Sequence, residues 1–169
     1  MQLKKFLNIL DGISEWTGKY FSWIIIALML LVVFEVVMRR FFNSPTIWSF
    51  EITIQLYALH FMIVAAYGLL HNAHVSVDII YEKFGAKAKA ILDVITYLIF
   101  FYPFMIVLLV KAIPYTAQSW AVHEKSWSAF APPLYPIKTV IPITVVLLLI
   151  QGTSKFIRQF YFAVTGKEL

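Results

Sequence analysis

Residues 48–78 read WSFEITIQLYALHFMIVAAYGLLHNAHVSVD, and this stretch decides the fold. From Trp48 to Leu70 it is mostly apolar and long enough to cross a bilayer core, which takes ~20 helical residues. It nevertheless carries Glu51, Gln55 and His60, and a polar signature follows at His71, Asn72, His74 and Asp78. Polar groups within or beside a membrane helix cost free energy and call for a partner.

The rest of the chain agrees with a membrane setting. Of its 169 residues 61% are hydrophobic and 14% charged, and the mean hydropathy is +0.80. Soluble domains average ~45–50% apolar and ~25% charged residues. We therefore expect an all-α integral membrane protein with one membrane domain over residues 1–169. The net charge of +5 does not indicate nucleic acid. The basic residues sit beside apolar runs, as helix anchors at a lipid surface do, and form no stripe. The absence of cysteine excludes disulfides, thiolate metal sites and cysteine nucleophiles. Lys4 and Lys5 resemble the start of a signal peptide, but no small-residue cleavage site follows, so none is expected.

Outward from the opening stretch, the pattern predicts four spans at about 20–38, 48–70, 90–110 and 137–157. Leu3, Phe6, Leu7, Leu10 and Ile13 recur at helical spacing and predict an interfacial amphipathic helix over about 3–16. A second interfacial helix is expected in the polar connection 71–89, ended at Gly85. Pro103 should kink the third span, and Pro114 should interrupt its extension. Trp120 and Trp127, seven apart, would then share a helical face. The fourth span is least defined: Thr139–Ile150 alone is too short, so it needs either Leu134–Lys138, with Lys138 snorkelling outward, or continuation past Gly152 and Lys155.

With four spans, nine Lys and Arg lie on the side of the termini and the 71–89 connection, against five on the other side. That bias predicts cytoplasmic termini. There is no internal repeat with matched broken helices, which would mark a transporter's own substrate site.

Each polar residue has a bland and a sharp reading. Glu35 and Arg39 fall one turn apart, as a helix-end pair or, more sharply, a coupling-ion carboxylate. Glu51 and Gln55 share a face; they are a first-turn dipole partner, or a contact to a partner helix or to Arg39 and Arg40. His60 suits a helix–helix hydrogen bond. Haem would need a second histidine at matching depth, and His71, His74 and His123 lie outside the spans. Ala58, Ala65 and Gly68 form a small-residue seam that allows close helix approach. His74 and Asp78 suit a local cap, because zinc would need further ligands. His123, Glu124 and Lys125 fit a loop that docks a partner, with Trp127 beside them.

In order, Arg39-Arg-Phe-Phe-Asn-Ser-Pro, Trp48-Ser-Phe-Glu51 and His74-Val-Ser-Val-Asp78 resemble the small, DctQ-like membrane subunit of tripartite ATP-independent periplasmic (TRAP) transporters. Pro133-Leu-Tyr-Pro136-Ile-Lys138 and Pro142 through Gly152 are similar to its second periplasmic loop and last helix. The resemblance covers about residues 20–160. Arg40 departs from a position often aromatic in the family, and Ser76 from one often basic.

The resemblance implies a scaffold subunit, not an enzyme, in the bacterial inner membrane, with no cofactor of its own. It implies a large membrane subunit carrying the substrate and sodium sites, and a periplasmic binding protein delivering an organic acid. Arg39, Arg40, Trp48, Glu51, Gln55, Ala58, Ala65, Gly68, His74 and Asp78 are then candidates for subunit contact or lipid anchoring. Glu124 and Trp127 are candidates for periplasmic contact. Two other classes stay open on sequence: a haem-bearing anchor of a respiratory complex, and a self-sufficient small transporter.

Overall fold

A computed structural model describes residues 2–73 and 84–167. These residues form α1 (Gln2–Ser22), α2 (Ile24–Phe41), α3 (Ser49–Leu70), α4 (Ala86–Thr96), a π-helical turn (Tyr97–Phe101), α5 (Tyr102–Ala121) and α6 (Tyr135–Thr165). The only β pairing among them is an isolated bridge between Lys125 and Pro133. Four continuous helical stretches, Gln2–Phe41, Ser49–Leu70, Ala86–Ala121 and Tyr135–Thr165, are long and apolar enough to cross a membrane. The protein is thus an all-α membrane protein.

Burial confirms the setting. Large apolar side chains such as Leu30, Phe61, Phe100 and Phe104 face outward, while Ser14, Ser49, Thr116, Ser119, Thr144, Gln151 and Ser154 are buried. In lipid, burying apolar surface gives helices no drive to associate; close packing and hydrogen bonds hold them together. Helices α3 and α6 are the central pair. Helices α1 and α2 pack on α3, and α1, α4 and α5 pack on α6. The apolar core is Ile63, Ala66, Val140 and Leu147, closed by Phe21, Leu59, Met62, Ile137 and Leu148.

Several local expectations are revised. The amphipathic helix does not end near residue 16; it runs to Ser22, and only Trp23 separates it from α2. Ser22 Oγ donates to the Gly18 carbonyl at 2.6 Å, a back-bond of the type that bends a helix without breaking it. Leu7, Ser14 and Gly18 are buried on one face of α1, and a Cβ on Gly18 would lie 2.2 Å from the Tyr67 ring. Beyond Leu7, α1 packs through a mainly polar stripe and turns Phe6, Ile9, Trp16 and Tyr20 outward.

The prolines act differently from one another. The imide of Pro103 cannot donate to the Ile99 carbonyl, and the helix widens just upstream: the Tyr102 N–H reaches the Tyr97 carbonyl, five residues back. Pro114 causes no interruption, because α5 runs through it to Ala121. Trp127 therefore lies in a loop and shares no helical face with Trp120. Helix α6 is one unbroken element despite Pro142 and Gly152. Pro142 cannot donate to the Lys138 carbonyl; Thr116 Oγ1 on α5 does so instead, at 3.1 Å. Gly152 makes room for the Phe101 ring, which lies 2.3 Å from where a Cβ would stand. Asn43, Asn72 and His123 take positive φ just after α2, α3 and α5. That conformation is least costly for such residues and lets each chain turn away. Gly85 has extended backbone and starts α4. The interfacial helix expected before it lies outside the described residues.

Candidate functional site

At the end of the bundle where α2 meets α3, Glu35 organises the turn. Its Oε1 accepts from Arg39 Nη2 at 3.0 Å. Its Oε2 accepts from Thr46 Oγ1 at 2.6 Å and from the Thr46 N–H at 3.3 Å. The carboxylate expected to pair with Arg39 thus also closes the Asn43–Pro45 turn, through a threonine the sequence did not single out. Arg39 and Arg40 remain exposed. Trp48 stacks on Phe34 with ring centroids 6.0 Å apart.

Glu51 and Gln55 do not reach Arg39 or Arg40. Glu51 Oε1 accepts from Ser126 Oγ at 2.9 Å, and Gln55 Nε2 donates to the Pro133 carbonyl at 3.2 Å. Both therefore tether the loop between α5 and α6. That loop is also braced internally, by Ser126 N–H to Pro132 O at 2.9 Å and Leu134 N–H to Glu124 O at 2.8 Å. Glu124 Oε2 lies 2.5 Å from Lys138 Nζ, which sits over the Tyr115 ring at 4.3 Å. Lys138, one turn inside α6, thus extends toward the loop and ends in an ion pair with it. Its hydrogen bond to Glu124, assisted by Ser119, holds the Glu124 carboxyl below the usual carboxylate range. Trp120 Nε1 donates to Thr139 Oγ1 at 2.8 Å and fixes the base of the loop. The fixed loop presents Trp127 fully exposed at its tip. Of the two candidate contact residues there, Trp127 is open and Glu124 is engaged within the chain.

On α3, Ala58, Ala65 and Gly68 are only half-buried. The intramolecular seam uses the adjoining stripe of Leu59, Met62, Ile63 and Ala66. Ala65 and Gly68 instead line an open groove with His60, Phe61, Val64 and Ala73. His60 Nδ1 lies 3.1 Å from the Phe21 carbonyl, a bond between α3 and α1. His74 and Asp78 lie outside the described residues.

The opposite end holds a network that the sequence reading missed. Asp11 Oδ1 accepts from Gln151 Nε2 at 3.1 Å and Ser154 Oγ at 2.6 Å, and its Oδ2 from Arg158 Nη2 at 2.8 Å. Nearby, His71 Nε2 and Lys19 Nζ lie 2.7 and 2.8 Å from the Glu15 carboxylate. The available signal was the spacing of Gln151, Ser154 and Arg158 on one helical face. Its partner Asp11 is 140 residues away from Gln151, so no local pattern links them.

Two comparisons bear on this arrangement. Residues 28–161 match the family model described as tripartite ATP-independent periplasmic transporters, DctQ component. The chain is also similar to the C4-dicarboxylate TRAP transporter small permease protein DctQ of Vibrio cholerae serotype O1 (strain ATCC 39315 / El Tor Inaba N16961), at 28% identity over 79 residues. That match covers 47% of this chain and 33% of the Vibrio protein. With the family model spanning most of the length and reaching into each of the four apolar helical stretches, the chain belongs to the DctQ component family, the small membrane subunits of TRAP transporters.

Proposed function

We propose that this subunit is the static scaffold of a sodium-coupled importer of an organic acid in the bacterial inner membrane, with both termini in the cytoplasm. The observation that carries this reading is how the chain uses its own polar groups. Glu35, Glu51, Gln55, His60 and Asp11 are each engaged by partners on the same chain. They brace turns, loops and helix crossings, which suits a rigid frame better than an ion pathway. Sodium coupling and substrate recognition then belong to a large membrane subunit, and delivery to a periplasmic binding protein.

The groove of Phe61, Val64, Ala65 and Gly68 is the proposed seat for a helix of the large subunit, since small residues permit close approach. Trp127 is the proposed contact for the binding protein, on a loop held rigid by Glu51, Gln55 and Lys138. Reconstitution in liposomes tests the whole reading. Sodium-dependent uptake of an organic acid is expected only when this chain, the large subunit and the binding protein are present together. Uptake by this chain alone would overturn the scaffold role. Ala65→Trp should abolish co-purification with the large subunit; unchanged yield would remove the groove as the seat.

A further inference from the structure

We propose that the pocket between α1, α3 and α6 binds a phosphate-bearing group, with the headgroup of a membrane phospholipid as its source. The pocket is lined by Asp11, Asn72, Gln151, Ser154, Lys155 and Arg158, among others. Its depth fits a headgroup. At 1.5 Å per residue, Gln151 and Arg158 lie ~24 and ~35 Å along α6 from Tyr135, bracketing the far edge of a ~30 Å hydrocarbon core. The stacked, exposed Trp16 and Tyr20 rings, 5.6 Å apart on α1, mark the same zone.

The charges favour an anion. Lys155 and Arg158 are three apart on one face, and Asp11 is the one carboxylate in the lining among the described residues. Asp93 on α4 acts on Lys155 electrostatically from outside that lining. Arg158 spends Nη2 on Asp11 and Asn8, which leaves Nη1 and Nε for a ligand. Lys155 Nζ bonds the Asn72 side chain and the Leu69 carbonyl at 3.4 Å, and keeps a third proton. At the pocket wall, Gln151 is 2% exposed and its Oε1 has no partner among the described residues. Asp11 fixes the amide in that orientation by taking the Nε2 proton. A buried acceptor without a donor costs free energy. The hydroxyl or amine donors that accompany a headgroup phosphate supply the missing partner chemistry.

The test uses the whole chain, delipidated in detergent, with thermal unfolding and native mass spectrometry as readouts. The probes are phosphatidylglycerol, phosphatidylcholine and inorganic phosphate. Phosphatidylglycerol should raise the unfolding midpoint and remain bound in the gas phase. Lys155→Gln should weaken its apparent affinity about fivefold, the usual worth of one basic residue at a lipid surface. Lys111→Gln, an exposed lysine on α5, should leave it unchanged. Arg158→Gln also loosens α1, so Lys155→Gln is the deciding variant. A Lys155-dependent response to inorganic phosphate as strong as that to phosphatidylglycerol would uphold the phosphate site and assign it to a soluble source. Equal responses of wild type and Lys155→Gln would overturn the proposal, whereas a Lys155-dependent response to phosphatidylcholine equal to that to phosphatidylglycerol would uphold the phosphate site and remove the headgroup hydroxyl as the donor to Gln151. None of these readouts depends on transport or on the large subunit.

Discussion

Gly18 and Gly152 are both close-approach positions, yet they should respond unequally to a methyl group. At Gly18 the added Cβ meets the Tyr67 Cβ and Cγ, which cannot swing away without moving α3. At Gly152 it meets the far edge of the Phe101 ring, which can rotate. Gly18→Ala should therefore cost ~1–3 kcal/mol, the usual range for overpacking, and Gly152→Ala distinctly less. Denaturant unfolding in detergent measures both. A second prediction concerns Glu124, whose carboxyl is held low by Lys138. Its contribution to stability is complete above the ordinary carboxylate value and is lost as pH falls through the lower folded value. Acidification should release the loop, seen as a change in tryptophan fluorescence. Glu124→Gln should remove that component of the transition. These residues show the limit of sequence reading at this scale. Glu35 and Arg39 were legible because their spacing is local. Glu51 was legible as a residue in need of a partner, but Ser126, 75 positions away, was not legible as that partner.

The elements carry two further predictions. Thr116 satisfies the carbonyl that Pro142 leaves without a helical donor. Thr116→Val should cost ~1–2 kcal/mol by orphaning that group. In a Pro142→Ala background the restored N–H can donate to it, and the same change should cost less. A double-mutant cycle on unfolding free energies reads the difference. Helix α1 is held to α6 through Asp11, which accepts from Gln151, Ser154 and Arg158 together. Asp11→Ala leaves three donors short of an acceptor and should cost about 2 kcal/mol. Cysteine cross-linking between the Asn8 and Arg158 positions should fall in parallel. Proline effects were only half legible. Pro103 announces a distortion, but not its form, a π turn over Tyr97–Phe101 whose Phe101 ring seats against Gly152. Pro114 looks like a break in sequence and is absorbed within α5.

For the molecule as a whole, topology is the sharpest prediction. Trp127→Cys should react with a membrane-impermeant thiol reagent from outside intact cells. A cysteine at Lys167 should react only after the membrane is opened. The reverse pattern would invert the orientation inferred from Lys and Arg and would move the α5–α6 loop away from any periplasmic partner. The labelling ties the candidate contact surfaces to compartments: Trp127 on one side, and the Asp11, Lys155 and Arg158 pocket on the other.

The sequence by itself determined that the chain is helical, spans a membrane several times and carries the motifs of the DctQ component family. Those properties follow from composition, apolar run length and residues close together along the chain. Only the tertiary structure decided where the polar groups go. Glu51 and Gln55 brace a loop of the same chain, the small residues Ala65 and Gly68 stay open beside the packed seam, and Asp11 anchors α1 to α6. The physical reason is range. Hydrophobicity is a property of each segment, whereas a hydrogen-bond partner in lipid is set by which helices meet and at what depth.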